Sequence, residues 1–80
     1  MNKKTYIKLK TINDIKEFVA IATACNFDVD LAAGRYVVDA KSIMGIFSLD
    51  LSKNIELTAH TENADEAEKF FEKIKHYIVK

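Results

Sequence analysis

The sequence predicts an α+β fold, a four-stranded antiparallel sheet with three helices on one face, in the order β-α-β-β-α-β-α. Three observations predict it. Four short segments alternate apolar and polar residues with period two, the pattern of strands buried on one side. Three further segments start at a cap-forming residue and carry crowded or helically spaced apolar side chains. The chain has 80 residues, 49% of them apolar, and no proline, which is the composition of a single folded domain spanning 1–80.

The first strand is read at Thr5-Tyr6-Ile7-Lys8-Leu9-Lys10, with Ile7 and Leu9 on its inner face. Thr11 and Asp14 then fit a capping box, with Asn13 as a competing cap. Ile15, Phe18, Val19, Ala22 and Cys25 follow at helical spacing, giving an amphipathic helix that ends near Asn26. Phe27–Leu31 and Arg35–Asp39 alternate again and read as a hairpin turning through Ala32-Ala33-Gly34. A short helix from Ser42 to about Ser52 comes next, leaving through Lys53-Asn54. Ile55–His60 is the fourth strand. The last helix begins at Asn63, with Glu66 as its capping-box partner and a stripe of Ala67, Phe70, Phe71, Ile74, Tyr77 and Ile78. Its acidic residues Asp65, Glu66 and Glu68 precede Lys73, Lys75 and Lys80, which complements the helix dipole.

Composition excludes several functions. Lys plus Arg and Asp plus Glu are 12 each, so there is no basic excess for general nucleic-acid binding. Apolar runs are too short to span a membrane, and no signal-peptide pattern opens the chain. A lone cysteine, Cys25, rules out an internal disulfide and any cysteine-built zinc site, and fits a reducing, cytoplasmic setting. No phosphate loop, nucleophile elbow, paired-carboxylate motif or cation loop is present, so neither an enzyme nor a cofactor or metal is expected.

The candidate site is the stretch Lys41-Ser42-Ile43-Met44-Gly45-Ile46-Phe47-Ser48-Leu49. Ser42 stands in helix-cap position. Ile43, Met44, Ile46, Phe47, Leu49 and Leu51 are too many apolar residues for one face of a short helix. With Ile46 and Leu49 in the core, Ile43, Met44 and Phe47 remain at least partly outside, either as core margin or as a docking patch. Gly45 allows a close backbone approach, for tight packing on the sheet or for an uncovered helix start.

This stretch closely resembles the regulatory-serine segment of HPr, the phosphocarrier family of the bacterial sugar phosphotransferase system. From about Phe27 to Glu66 the chain can be laid on that family without a gap, including Ile55-Glu56-Leu57-Thr58 and Ala64-Asp65-Glu66. The resemblance implies an open-faced sandwich of the same element order. It also implies Ser42 as a phosphoacceptor for an HPr-kinase-like enzyme. Partner docking, to a transcription regulator or a metabolic enzyme, falls by the same resemblance to Ile43, Met44 and Phe47, with Gly45 and Lys41 beside them. The departure lies before the first helix, where the family carries its phosphohistidine. Here that junction reads Lys10-Thr11-Ile12-Asn13-Asp14-Ile15, without His, Arg or Pro. Phosphohistidine transfer needs an imidazole nucleophile, and Asp14 would repel an incoming phosphate.

His60 is expected on the solvated sheet face with Glu56 and Thr58, and His76 in an i,i+4 pair with Glu72. Neither stands where the family's phosphohistidine belongs, so a carrier role through either is disfavoured. Cys25 is expected as a small buried side chain. The leading expectation is a divergent, non-carrier HPr-like regulatory protein. The alternative is an unphosphorylated interaction module, self-associating as a homodimer through the apolar helix.

Overall fold

The computed structural model describes residues 3–79, so Met1, Asn2 and Lys80 lie outside the description. Its strands are β1 (Lys3–Ile7), β2 (Asp28–Ala33), β3 (Tyr36–Asp39) and β4 (Ile55–His60). Its helices are α1 (Ile12–Thr23), α2 (Ile43–Phe47) and α3 (Ala64–Lys73), the last followed by a 3-10 turn over Lys75–Tyr77. The strands form one antiparallel sheet in the order β1-β4-β2-β3.

Alternation assigns the two sheet faces. Ile55, Leu57 and Ala59 of β4 face the helices beside Val29 and Leu31 of β2 and Ile7 of β1, all buried. Phe18 of α1, Ile46 of α2 and Phe70 and Ile74 from the α3 segment close over them as one core. Edge-on aromatic contacts knit this layer, with ring centroids 6.5 Å apart for Phe18–Phe70, 6.3 Å for Phe18–Tyr77 and 5.7 Å for Phe27–Phe70. The opposite face carries Tyr6, Asp30, Val37, Glu56, Thr58 and His60 and has no helix over it. This is the antiparallel sheet with helices on one face that the residue patterns predict, and the open-faced sandwich that the resemblance implies.

Several boundaries differ from the sequence reading, each for a local reason. β1 ends at Ile7, two residues before the buried Leu9, because its partner strand β4 begins at Ile55, opposite Ile7. The hairpin turns at Gly34-Arg35 rather than Ala32-Ala33-Gly34, since Ala32 and Ala33 pair with Val37 and Tyr36. Gly34 takes a φ of 60°, the left-handed conformation that lets so short a loop close. α1 stops at Thr23 and α3 at Lys73, both short of the predicted ends.

The largest difference is in α2, which spans five residues instead of running to Ser52. Ser48 and Leu49 donate to carbonyls three residues back, Gly45 and Ile46, tightening the last turn. The Ser48 hydroxyl also donates to the Gly45 carbonyl at 2.5 Å, and Asp50 draws the Ser52 N–H to its own carboxylate. Side chains that bond the local backbone in this way compete with helix propagation. The Ser52 hydroxyl, which donates to Asp50 Oδ1 at 2.5 Å, and the Ser52 N–H hold the exposed Asp50 carboxyl below its ordinary range.

Candidate functional site at the start of the second helix

The site begins at the end of β3. Asp39 accepts from the Lys41 N–H through Oδ1 at 2.8 Å, while its carbonyl accepts from the Ser42 N–H at 3.0 Å. These two bonds turn the chain from strand into helix and leave Ser42 extended, with φ −106° and ψ 107°. Its hydroxyl then accepts from the Gly45 N–H at 3.1 Å. Ser42 is therefore an N-cap, exposed to solvent on the open side of the corner.

The apolar side chains divide as overcrowding requires. Ile46 is fully buried and Leu49 nearly so. Ile43 is half-buried against the core margin. Met44 is 75% exposed and Phe47 45% exposed, so both present apolar surface beside Ser42. A shallow groove of about 460 Å³ continues from Phe47 and Leu51 to Ile12 and Ile15, joining the end of α2 to the start of α1. A larger depression of about 600 Å³ lies along α3 between charged residues such as Asp65 and Lys73, away from this corner.

Gly45 has a packing reason. A Cβ there would stand 3.2 Å from the Val38 Cβ and 3.3 Å from the Ser42 Oγ. The glycine lets α2 lie directly on β3 and keeps room for the cap hydroxyl. Lys41 points elsewhere: its ammonium donates to the Cys25 carbonyl at 3.2 Å and is partly buried. The structure thus brings Ser42, Met44 and Phe47 together at the surface. Gly45 supports them from behind, and the Lys41 amine is directed to the C-terminal end of α1.

The start of α1 is built differently. Thr11 caps it by accepting from the Asp14 N–H at 3.0 Å, and Asp14 Oδ2 accepts from the N–H groups of Lys10 and Thr11 at 3.0 and 3.2 Å. The capping box read in the sequence is complete. It places a carboxylate at the helix start, and no imidazole stands there.

The remaining candidate residues fall as follows. His60 lies on the open sheet face as expected, its Nε2 2.7 Å from Asp30 Oδ2. His76 does not pair with Glu72; its Nε2 lies 3.3 Å from Glu17 of α1, while Lys75 takes Glu72 at 2.9 Å. Helix periodicity failed there because α3 has already given way to a 3-10 turn. At the start of α3, Asn63 accepts from the Glu66 N–H as predicted. The return bond is absent, since the Glu66 carboxylate takes the Thr61 hydroxyl and Thr61 takes the Asn63 N–H. Cys25 is half-buried rather than buried; burial raises its thiol above the ordinary range, against an opposing pull from Lys41.

One group had no signal in the sequence. Tyr77 is buried and its hydroxyl has no hydrogen-bond partner among the described residues. Burial, reinforced by the Glu17 and Asp14 carboxylates, pushes this phenol up to about 12. Among the described residues no cluster of His, Cys, Asp and Glu is placed to hold a metal ion, and no helix is long and apolar enough to cross a membrane.

Comparison with known proteins agrees with this geometry. No curated protein matches the sequence. Fifteen solved chains match, and two of them resemble it over nearly their whole length. One is the phosphocarrier protein HPr from Bacillus anthracis str. Ames, with TM-score 0.72, 30% identity, and coverage of 99% of this chain and 96% of that one. The other is HPr-C-His from Thermoanaerobacter tengcongensis, with TM-score 0.71, 29% identity, and coverage of 92% and 89%. Residues 13–80 match the family described as PTS HPr component phosphorylation site, a span that opens inside the first turn of α1. With a family model matching most of the chain and a relative at 30% identity covered almost end to end, the chain belongs to the HPr family.

Proposed function

We propose that this HPr-family protein is a regulatory adaptor and not a phosphohistidine carrier, with Ser42 as its phosphoacceptor. The observation that carries this reading is the exposed Ser42 hydroxyl beside exposed Met44 and Phe47, on a chain whose α1 start holds Asp14 and no imidazole. A phosphate on Ser42 would add a charge of about −1.5 to −2 at the rim of the apolar patch. It would change which partners can desolvate that patch. The five-residue α2 has little macrodipole to offer, so the effect rests on local charge. Docking through Ile43, Met44 and Phe47, to a kinase of the HPr-kinase type and to a regulator or metabolic enzyme, belongs to the same reading, as does a cytoplasmic setting. Gly45 holds α2 against the sheet for it, and Lys41 fixes the corner from the side. The reading includes no enzymatic activity, nucleic-acid binding or membrane binding.

Incubation with an HPr kinase and ATP, followed by mass spectrometry, tests it. One phosphate is expected on the wild type and none on Ser42→Ala; an unlabelled wild type, or equal labelling of both, sinks the proposal. Met44's exposure also favours a second reading, an interaction module that is never phosphorylated. Under that reading Met44→Lys abolishes partner binding or α2-mediated self-association in sedimentation, while Ser42→Ala leaves it intact.

A further inference from the structure

The two edges of the sheet are treated differently. Outside β1, the chain after α3 returns: Tyr77 accepts from the Lys8 N–H and Val79 donates to the Tyr6 carbonyl, both at 2.8 Å, and Ile78 bridges to Ile7. Outside β3 no described residue lies in register, and the edge is open.

The phase of β3 fixes which backbone groups face out. Gly34-Arg35 is a two-residue loop closed by the Ala33–Tyr36 pair, and the Ala40 N–H donates inward to the Val29 carbonyl at 2.8 Å. Tyr36, Val38 and Ala40 therefore bond toward β2, and the N–H and C=O of Val37 point to the open edge. Val37 is 66% exposed and Tyr36 65% exposed. The edge has no proline, lysine or bulge; among the usual protections it has its shortness and the flanking charges of Arg35 and Asp39.

We infer that β3 pairs antiparallel with β3 of a second copy of this chain, about a two-fold axis at Val37, to make a continuous eight-stranded sheet. The sequence across the edge, Arg35-Tyr36-Val37-Val38-Asp39, is self-complementary in that register. Val37 meets its symmetry mate and exchanges both backbone bonds with it. Tyr36 of each copy covers Val38 of the other on the helix face. Arg35 stands opposite Asp39, twice by symmetry. Arg35 has no ion pair or side-chain hydrogen bond among the described residues, and Asp39 uses only Oδ1, on the Lys41 N–H, leaving Oδ2 for a guanidinium. Opposite charges directly across a strand pair are favourable, and the isologous contact closes at two copies. Four residues of edge bury little area, so the dimer is weak, with a Kd of about micromolar to millimolar. It is independent of Ser42 and of any phosphate there.

Sedimentation velocity of the full chain, from about 10 µM to about 1 mM, reads the association. A concentration-dependent monomer–dimer equilibrium is expected. Val37→Lys, at an exposed position, raises the Kd at least about tenfold while circular dichroism shows an unchanged fold. Arg35→Asp and Asp39→Arg each weaken the dimer alone, and mixing the two variants restores association as a heterodimer. Monomers throughout the range overturn the inference. So does a dimer that survives Val37→Lys, or one that only Met44→Lys disrupts, which would place the contact on α2. If Asp39→Arg loses its turn and unfolds, Val37→Lys and Arg35→Asp still decide the matter.

Discussion

The starts of α1 and α2 use one cap geometry with opposite contents. In each, a hydroxyl residue accepts from the backbone N–H three positions on, Thr11 from Asp14 at 3.0 Å and Ser42 from Gly45 at 3.1 Å. At α1 that third residue is a carboxylate that returns two bonds to the preceding backbone. At α2 it is a glycine that returns none and instead lets the helix touch β3. The first start is closed by its own charge and is self-sufficient. The second depends on packing, has no acidic residue in its first turn, and is flanked by the exposed apolar side chains of Met44 and Phe47. A helix start closed by a carboxylate and one closed by packing thus differ at the third position of the cap.

Substitutions at these two third positions test the comparison most directly. Gly45→Val should destabilise the fold by about 1–3 kcal/mol, because the branched side chain meets Val38 and the Ser42 hydroxyl in space already filled. Urea unfolding reads it, and an unchanged midpoint would show that α2 can lift from β3 at no cost.

The caps themselves come next. Asp14→Ala removes an acceptor of two N–H groups and should cost about 1–2 kcal/mol, against about 0.5–1 kcal/mol for Ser42→Ala. If thermal unfolding ranks the two the other way round, α2 is the better-anchored helix and the contrast fails.

The smallest effect concerns Tyr77, whose phenol lies close to the α1 carboxylates. Its folded-state value of about 12 lies above the ordinary 10, so the neutral form is the one the fold favours. The unfolded chain releases this proton above pH 10 while the folded chain retains it. The stability it contributes is therefore complete below pH 10 and is lost as pH rises toward 12. Tyr77→Phe should be neutral to stabilising at pH 7, since the buried hydroxyl has no partner among the described residues, and should remove this alkaline loss. An identical pH profile for both proteins would mean that the hydroxyl reaches water.

The sequence carried the strands and caps because they depend on neighbours in the chain. Alternation placed Ile55–His60 to the residue, and the Thr11/Asp14 and Ser42 caps were visible in residue type and spacing. Overcrowding of α2 was enough to expect Met44 and Phe47 outside. Competition was harder to read. Whether Glu66 returns to Asn63 or takes Thr61, and whether His76 finds Glu72 or Glu17, depends on partners of similar chemistry at similar distance. The early end of α2 came from serine and aspartate side chains drawing on the local backbone. The contact of Gly45 with Val38 needs the sheet and helix together, so no local pattern could announce it. The same holds for Lys41, whose partner is a carbonyl sixteen positions earlier in the chain.

That last bond has a mechanical consequence. α1 has no basic residue in its final turn, and the Lys41 ammonium on the Cys25 carbonyl supplies the missing cation from another element. It acts as a guy-rope between the end of the first helix and the corner that leads into Ser42. Lys41→Met would cut that tie and leave the Cys25 carbonyl without the ammonium. There the chain's lone thiol, its value raised by burial, stands half-buried on the residue whose carbonyl takes the Lys41 ammonium.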